Sequence, residues 1–307
     1  MPAEPPPAAR VLCLGEALVD LICERHVEDL DQADAFVPRF GGAVASIAVA
    51  AARAGARVTL AGGAGDDPWG RWLRRRLHDE QVELSLFALV PGSQTPLALV
   101  TIDAAGEPRY EHYGDHIPAL GHSLPGALEP AVEAAAALLL SSNTLVGADE
   151  RELTMQVREL ALAGDRPVIF DPSLRLHRWR SRADAAASAN ACVPGALLVR
   201  CSEAEAALMT GESDPERAAV ALVKAGARLV VITLGPDGAI CRGELRADAD
   251  GVRPAVLRST IGAGQVLTGT LLAKLALADF YAPVVPASLR EAVAGAAKAC
   301  ERWGALD

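Results

Sequence analysis

The chain has 307 residues, 51% hydrophobic and 22% charged, which excludes a disordered or fibrous protein. A net charge of −10 and a pI near 5.2 argue against a nucleic-acid partner, whose backbone selects a basic surface. The length suits one α/β domain with an excursion.

The Pro- and Ala-rich start, Met1–Arg10, has no basic region before the first apolar run. That run, Val11–Ile22, carries Glu16 and Asp20, which the core of a signal peptide excludes. Ala45–Ala54 is small and apolar and stops at Gly55, as a helix ending on a glycine would. Val58–Ala61 reads as a strand, Trp69–Asp79 as an amphipathic helix, and Phe87–Val90 as a strand. Ala134–Leu140 is too short to cross a bilayer and runs into Ser141-Ser142-Asn143, so no membrane partner is expected. Ala136–Leu140, Val168–Phe170, Leu197–Val199 and Leu229–Thr233 are short apolar runs between helical patterns. Such runs suit strands buried on both faces of a parallel sheet.

Glu16–Phe40 and Thr95–Gly114 break this rhythm, and the second reads as two strands around an Ala-Gly-Glu turn. The expected fold is a doubly wound, mostly parallel α/β sheet flanked by helices in one domain over residues 1–307. A small β-sheet lid is expected from about 14–40 and 93–118. Six cysteines (13, 23, 192, 201, 241, 300) form no C-x-x-C and read as thiols of a reduced cytoplasm.

The sequence contains no G-x-x-x-x-G-K-[ST] loop, no H-E-x-x-H helix and no G-x-S-x-G elbow. What remains is Ser259-Thr-Ile-Gly-Ala-Gly-Gln265 before the apolar stretch Val266–Ala278. Gly262, Ala263 and Gly264 are small enough to let backbone N–H groups at a helix N-terminus approach an anion, and a plain tight turn is the alternative.

Six segments in order resemble the ribokinase-like, PfkB-type carbohydrate kinases, closest to fructokinases and 2-keto-3-deoxygluconate kinases. They are Val11–Asp20, Gly41-Gly-Ala-Val-Ala-Ser46, Gly65-Asp-Asp-Pro-Trp-Gly70, Asp171-Pro-Ser-Leu-Arg175, Ser202-Glu-Ala-Glu205 and Thr233-Leu-Gly-Pro-Asp-Gly238. The resemblance implies a ribokinase-like fold and transfer of the γ-phosphoryl group of ATP to a hydroxyl of a small sugar or sugar acid. It implies substrate contacts at Asp20, Gly41, Gly42, Ser46, Arg109 and Arg175, with a lid ion pair the alternative at Arg109. It implies nucleotide contacts at Ser202, Thr233, Gly235 and Gly238, and Mg²⁺ held through water at Glu205. Gly262, Ala263 and Gly264 would be the anion hole, and a homodimer would form through the lid.

The chain departs from that family at the position of the catalytic base, where an aspartate is replaced by Gln265, a neutral amide. Ser259 replaces an aspartate of a monovalent-cation site, and Ser46 and Ser173 replace asparagines. Two readings follow: a sugar kinase, or a catalytically impaired relative that binds sugar or nucleotide in a regulatory or scaffolding role. The six histidines (26, 78, 112, 116, 122, 177) show no metal spacing and read as solvated.

Overall fold

The computed structural model describes residues 10–114 and 124–306. In chain order its elements are β1 (Arg10–Leu14), β2 (Leu18–His26), β3 (Val37–Gly41), α1 (Ala43–Arg53), β4 (Arg57–Gly65), α2 (Pro68–Asp79), β5 (Phe87–Val90), β6 (Leu97–Ile102) and β7 (Pro108–Tyr113). There follow α3 (Pro125–Ala134), β8 (Ala137–Ser141), α4 (Ala148–Ala163), β9 (Val168–Asp171), α5 (Arg182–Asn190), β10 (Leu198–Ser202), α6 (Glu203–Thr210) and α7 (Pro215–Lys224). The last are β11 (Leu229–Thr233), β12 (Gly238–Gly243), β13 (Ala247–Asp250), α8 (Ala263–Leu277) and α9 (Val284–Ala299).

Nine strands form the large sheet in the order β13-β12-β11-β10-β9-β8-β1-β4-β5. From β11 to β5 neighbours run parallel, and their apolar runs are buried against hydrophobic layers on both faces. The antiparallel edge of β12 and β13 lay beyond the sequence reading, because the Ala-Asp-Ala-Asp of β13 carries little apolar signal. After β1 the chain winds outward through β4 and β5, and after β8 it winds the other way through β9, β10 and β11. The strand order therefore reverses between β1 and β8, where open α/β sheets place their binding crevice, outside the carboxyl ends of the strands.

Helices α1 and α8 cross the sheet face in close contact. A Cβ on Gly269 of α8 would lie 2.4 Å from Ala50 Cβ, so glycine and alanine set that approach.

The small separate sheet expected from the loss of helical rhythm has four strands in the order β3-β2-β6-β7. Only β2 and β6 run parallel in it. One face carries Leu18, Asp20 and Ile22 beside Ala98 and Val100, then His112 and Tyr110. The other carries Leu21, Leu97, Leu99, Arg109 and Glu111. The β6–β7 turn is tied to the segment before α8: Thr260 N donates to Gly106 O (2.8 Å) and Thr260 Oγ1 to Glu107 Oε2 (3.2 Å). The stretch of the expected lid beyond Gly114, with His116 and Pro118, lies outside the described residues, as does His122. Among the described residues, no helix is long and apolar enough to cross a membrane. The six cysteines are free.

Candidate active site

A cavity of about 460 Å³ opens at the reversal point, walled by the loops after β1, β8 and β9, the inner face of the small sheet and the start of α8. Of the residues singled out from sequence, it brings together Asp20, Gly42, Ser46, Arg175, Gly262 and Gln265.

Glycine builds the Asp20 corner. A Cβ on Gly41 would lie 2.3 Å from Asp20 Oδ2, and Gly42, at φ 93°, would place one 2.6 Å from the Glu16 carbonyl. Only glycine satisfies both, since the second needs a left-handed backbone and the first leaves no room. Burial pushes the Asp20 carboxyl up to about 7, with Arg175 opposing the rise. Arg175 lies with its guanidinium 5.0 Å from the Tyr110 ring centroid.

The neighbouring wall was not foreseen. Glu16, 5% exposed, accepts from Ala43 N at the start of α1 (2.7 Å) and from Asn143 Nδ2 after β8 (2.8 Å). Asn143 Oδ1 in turn accepts from Arg178 Nη1 (3.2 Å). A carboxylate thus joins a helix N-terminus to the strand ends on either side of the crevice.

His112 and His177 are also on this wall; His177 is exposed, in line with the solvated reading, while His112 is half-buried, against it. Their rings stack at 4.6 Å, and Tyr110 stacks on His112 at 5.5 Å. Burial pushes the His112 imidazole down to about 4, with His177, Arg175 and Arg178 adding to the fall. Burial and the same two arginines also lower His177. Both rings are therefore neutral near pH 7.

Arg109 lies elsewhere. The alternation of β7 turns it to the other face, where it meets Asp29 (3.4 Å) and Glu28 (3.9 Å). The ion-pair alternative is the one present, and Arg109 does not line the cavity.

The start of α8 forms the floor. Gly262 adopts φ 77°, and a Cβ there would sit 2.0 Å from Ala305 Cβ. Ala263 N donates to Thr260 O (3.3 Å). The Gly264 and Gln265 amides have no acceptor within the helix's first turn. Beneath them lies Arg200 of β10, 6% exposed, whose Nη2 donates to Thr233 Oγ1 (3.0 Å) and whose Nη1 meets Asp171 Oδ2 (3.4 Å). A cation packed under a helix N-terminus adds to the attraction for an anion.

Gln265 Nε2 donates to Ser173 Oγ (3.1 Å), and Ser173 Oγ donates to Asp171 Oδ1 (2.8 Å). Burial raises the Asp171 carboxyl, against the opposing pull of Arg200 and the Thr268 and Ser173 hydroxyls.

The residues expected at the nucleotide lie beyond the cavity, at the carboxyl ends of β10 and β11. Gly235 and Gly238 flank the turn into β12 with φ 56° and 104°. Ser202 and Glu205 form a capping box at the start of α6. Glu205 Oε2 accepts from Ser202 N (2.8 Å) and Oγ (2.9 Å), while Oε1 accepts from Leu174 N (2.7 Å). Ser259 is fully buried and its Oγ accepts from Ile261 N (2.9 Å), so no charge stands there for a monovalent cation. Among the described residues, no three His, Cys, Asp or Glu side chains cluster to hold a metal ion.

The model of the pfkB family carbohydrate kinases matches residues 8–305. The chain belongs to the pfkB carbohydrate kinase family. It is 30% identical over 269 residues to Fructokinase-1 of Oryza sativa subsp. japonica, covering 86% of this chain and 82% of that one. Fructokinase of Salmonella typhimurium is 29% identical, with coverage of 87% and 85%. The crystal structure of Vibrio cholerae O395 fructokinase, with fructose, ADP and calcium ion bound, superposes with a TM-score of 0.84. It is 28% identical, and the match covers 97% of this chain and 95% of that one.

Within this pfkB protein, Glu205 has three of its acceptor positions engaged by protein donors, so a direct metal bond does not fit. A contact through water at the remaining lone pair of Oε1 does fit.

Proposed function

We propose that this pfkB protein is an ATP-dependent sugar kinase that transfers the γ-phosphoryl group of ATP to a hydroxyl of a small sugar or sugar acid. One observation carries the reading: a single cavity joins the buried carboxyl of Asp20, which suits sugar hydroxyls, to the start of α8 at Gly262 and Gln265, where a helix N-terminus suits a phosphoryl group. The fructose and ADP of the Vibrio cholerae fructokinase crystal support both halves.

Asp20, Ser46 and the Gly41-Gly42 turn hold the sugar under the small sheet. Arg175, which interacts electrostatically with Asp20 and Glu16, and Arg178 bring two guanidinium groups to the cavity wall and suit a substrate with an acidic group. The triphosphate runs from α8 toward Ser202, Thr233, Gly235 and Gly238. Mg²⁺ bound to the phosphates, with Glu205 contacting it through water, would neutralise their charge. The Gly264 and Gln265 amides, with Arg200 below, meet the charge that develops on the transferring group. The neutral Ser259 gives no support for a monovalent-cation requirement. The single domain is completed by a homodimer through the outer face of the small sheet, where Leu21, Leu97 and Leu99 are only partly covered.

Gln265 favours a second reading, in which the protein binds sugar or nucleotide with little turnover. A coupled ATP-consumption assay across ketoses, aldoses, sugar acids and nucleosides separates the two. Turnover with any sugar supports the kinase, and nucleotide binding without turnover supports the second reading. Absence of both would overturn the proposal. Light scattering at micromolar concentration tests the dimer.

A further inference from the structure

The hydrogen bonds behind Gln265 have a fixed direction. Ser173 has one hydroxyl hydrogen, and it goes to Asp171 Oδ1 at 2.8 Å. Asp171 is the acceptor for each group that reaches it, Ser173 Oγ at Oδ1 and, at Oδ2, Thr268 Oγ1 (2.5 Å) and Arg200 Nη1 (3.4 Å), whose charge favours the ionised carboxylate. With its hydrogen committed, Ser173 Oγ can only accept from Gln265. The Gln265 amide must turn its NH₂ inward, and Oε1 is left with no protein donor among the described residues. Gln265 itself lines the cavity. Ser173 sits at φ 43°, a left-handed backbone that a serine adopts only under constraint from its surroundings, and it is 3% exposed.

We propose that Asp171 and Ser173 are positioning residues that hold the Gln265 amide with Oε1 toward the cavity, where it accepts a hydrogen bond from the attacking substrate hydroxyl. This rests on the kinase reading above. The hydroxyl oxygen bonds to the γ-phosphorus, and the bond to the β,γ-bridging oxygen breaks with its electron pair leaving on ADP. The hydroxyl proton passes to a non-bridging oxygen of the new phosphate ester. Gln265 aligns the nucleophile and takes no proton, a division of labour that a loose phosphoryl-transfer transition state tolerates.

The test avoids Asp171, whose replacement risks the fold. Solvent exchange of the Gln265 side-chain NH₂ is followed by ¹⁵N NMR, with the signal assigned through Gln265→Ala. Ser173→Ala should speed that exchange by at least about tenfold and lower kcat about tenfold, leaving the dissociation constant for ADP within about twofold. Ser173→Asn should restore both, since asparagine accepts a left-handed backbone, donates through Nδ2 and accepts through Oδ1. Equal exchange in wild type and Ser173→Ala overturns the anchoring. Unchanged kcat in Ser173→Ala, or a wild type that binds ADP yet phosphorylates nothing, overturns the positioning role while leaving the nucleotide site intact. A wild type that binds no nucleotide overturns the kinase reading itself.

Discussion

Gly264 rests directly on Arg200: a Cβ added to the glycine would lie 2.3 Å from Nη2 and 2.5 Å from Nη1 of the buried guanidinium. A helix N-terminus and a strand from the middle of the sheet meet there with no space for a methyl group. Gly264→Ala must therefore move either the first turn of α8 or the cation beneath it. We expect the dissociation constant for ADP to change less than about fivefold, and phosphoryl transfer to fall by 10²-fold or more, as when an oxyanion donor is lost. Calorimetric titration and steady-state turnover of the same variant check this.

Gln265→Asp should act in the opposite sense. It restores a group able to accept the hydroxyl proton, and general bases are typically worth 10²- to 10⁴-fold. Because Ser46, Ser173 and Ser259 remain, a rise in kcat of at least about tenfold is expected, with a new acid limb in its pH profile. Equal rates for wild type and variant would place the base at another residue.

Asp20 should cost the empty protein stability. Its folded pKa of about 7 lies above the ordinary 3.8, so the native state holds the proton more tightly than the unfolded chain. Stability must then fall as pH rises between those values, with the full penalty present above about pH 7. At 1.36 kcal/mol per unit the ceiling is about 4 kcal/mol. Asp20→Asn should unfold at higher denaturant concentration than wild type at pH 8 and at a similar one at pH 3. At pH 8, where Asp20 is ionised, the variant's KM for any accepted sugar should rise about tenfold or more, since an anionic acceptor is lost.

Asp67 works the other way. Burial alone would raise its pKa, but hydrogen bonds from Thr95 N, Gly70 N and Thr95 Oγ1 outweigh it and hold the carboxyl below its ordinary value. The Gly65–Gly70 turn is thereby a clamp: Asp67 caps α2 and grips the chain entering β6. The clamp is present above the unfolded carboxylate pKa and is lost as pH falls through the lowered folded value. Asp67→Ala should cost about 1–2 kcal/mol in urea unfolding at pH 7, and the gap should close toward pH 2.

The strands of the large sheet were legible because burial on both faces leaves unbroken apolar runs such as Leu229–Thr233. The small sheet was legible as an absence, the stretches where helical period disappears. Glycine marks the closest approaches, since Gly41, Gly42, Gly262 and Gly264 each face an atom that excludes a side chain. Among the described residues, His112 alone departs from a solvated reading, because sheet geometry and not sequence spacing brings it to the site. Period-two alternation along β7, carried through its pairing with β6 and β2, places Tyr110 and His112 on the Asp20 face and Arg109 on the other. Glu16 and Arg200 left no local trace, because what defines them is a partner far along the chain, Asn143 for one and Gly264 for the other.

The pairing of β2 with β6 sets Asp20 beside Ala98, so the small sheet closes a long loop through β3, α1, β4, α2 and β5. Parallel pairing across such a distance bears its full closure entropy before any contact offsets it. The strands from β8 to β13, by contrast, follow one another in sequence, through helical crossovers as far as β11 and as antiparallel neighbours beyond it. The roof of the cavity should therefore open before the strands from β8 to β13 in native-state hydrogen exchange. A substrate filling the space beneath it acts as the missing tertiary contact, so saturation with sugar slows exchange in β2, β6 and β7 ahead of the strands of the large sheet.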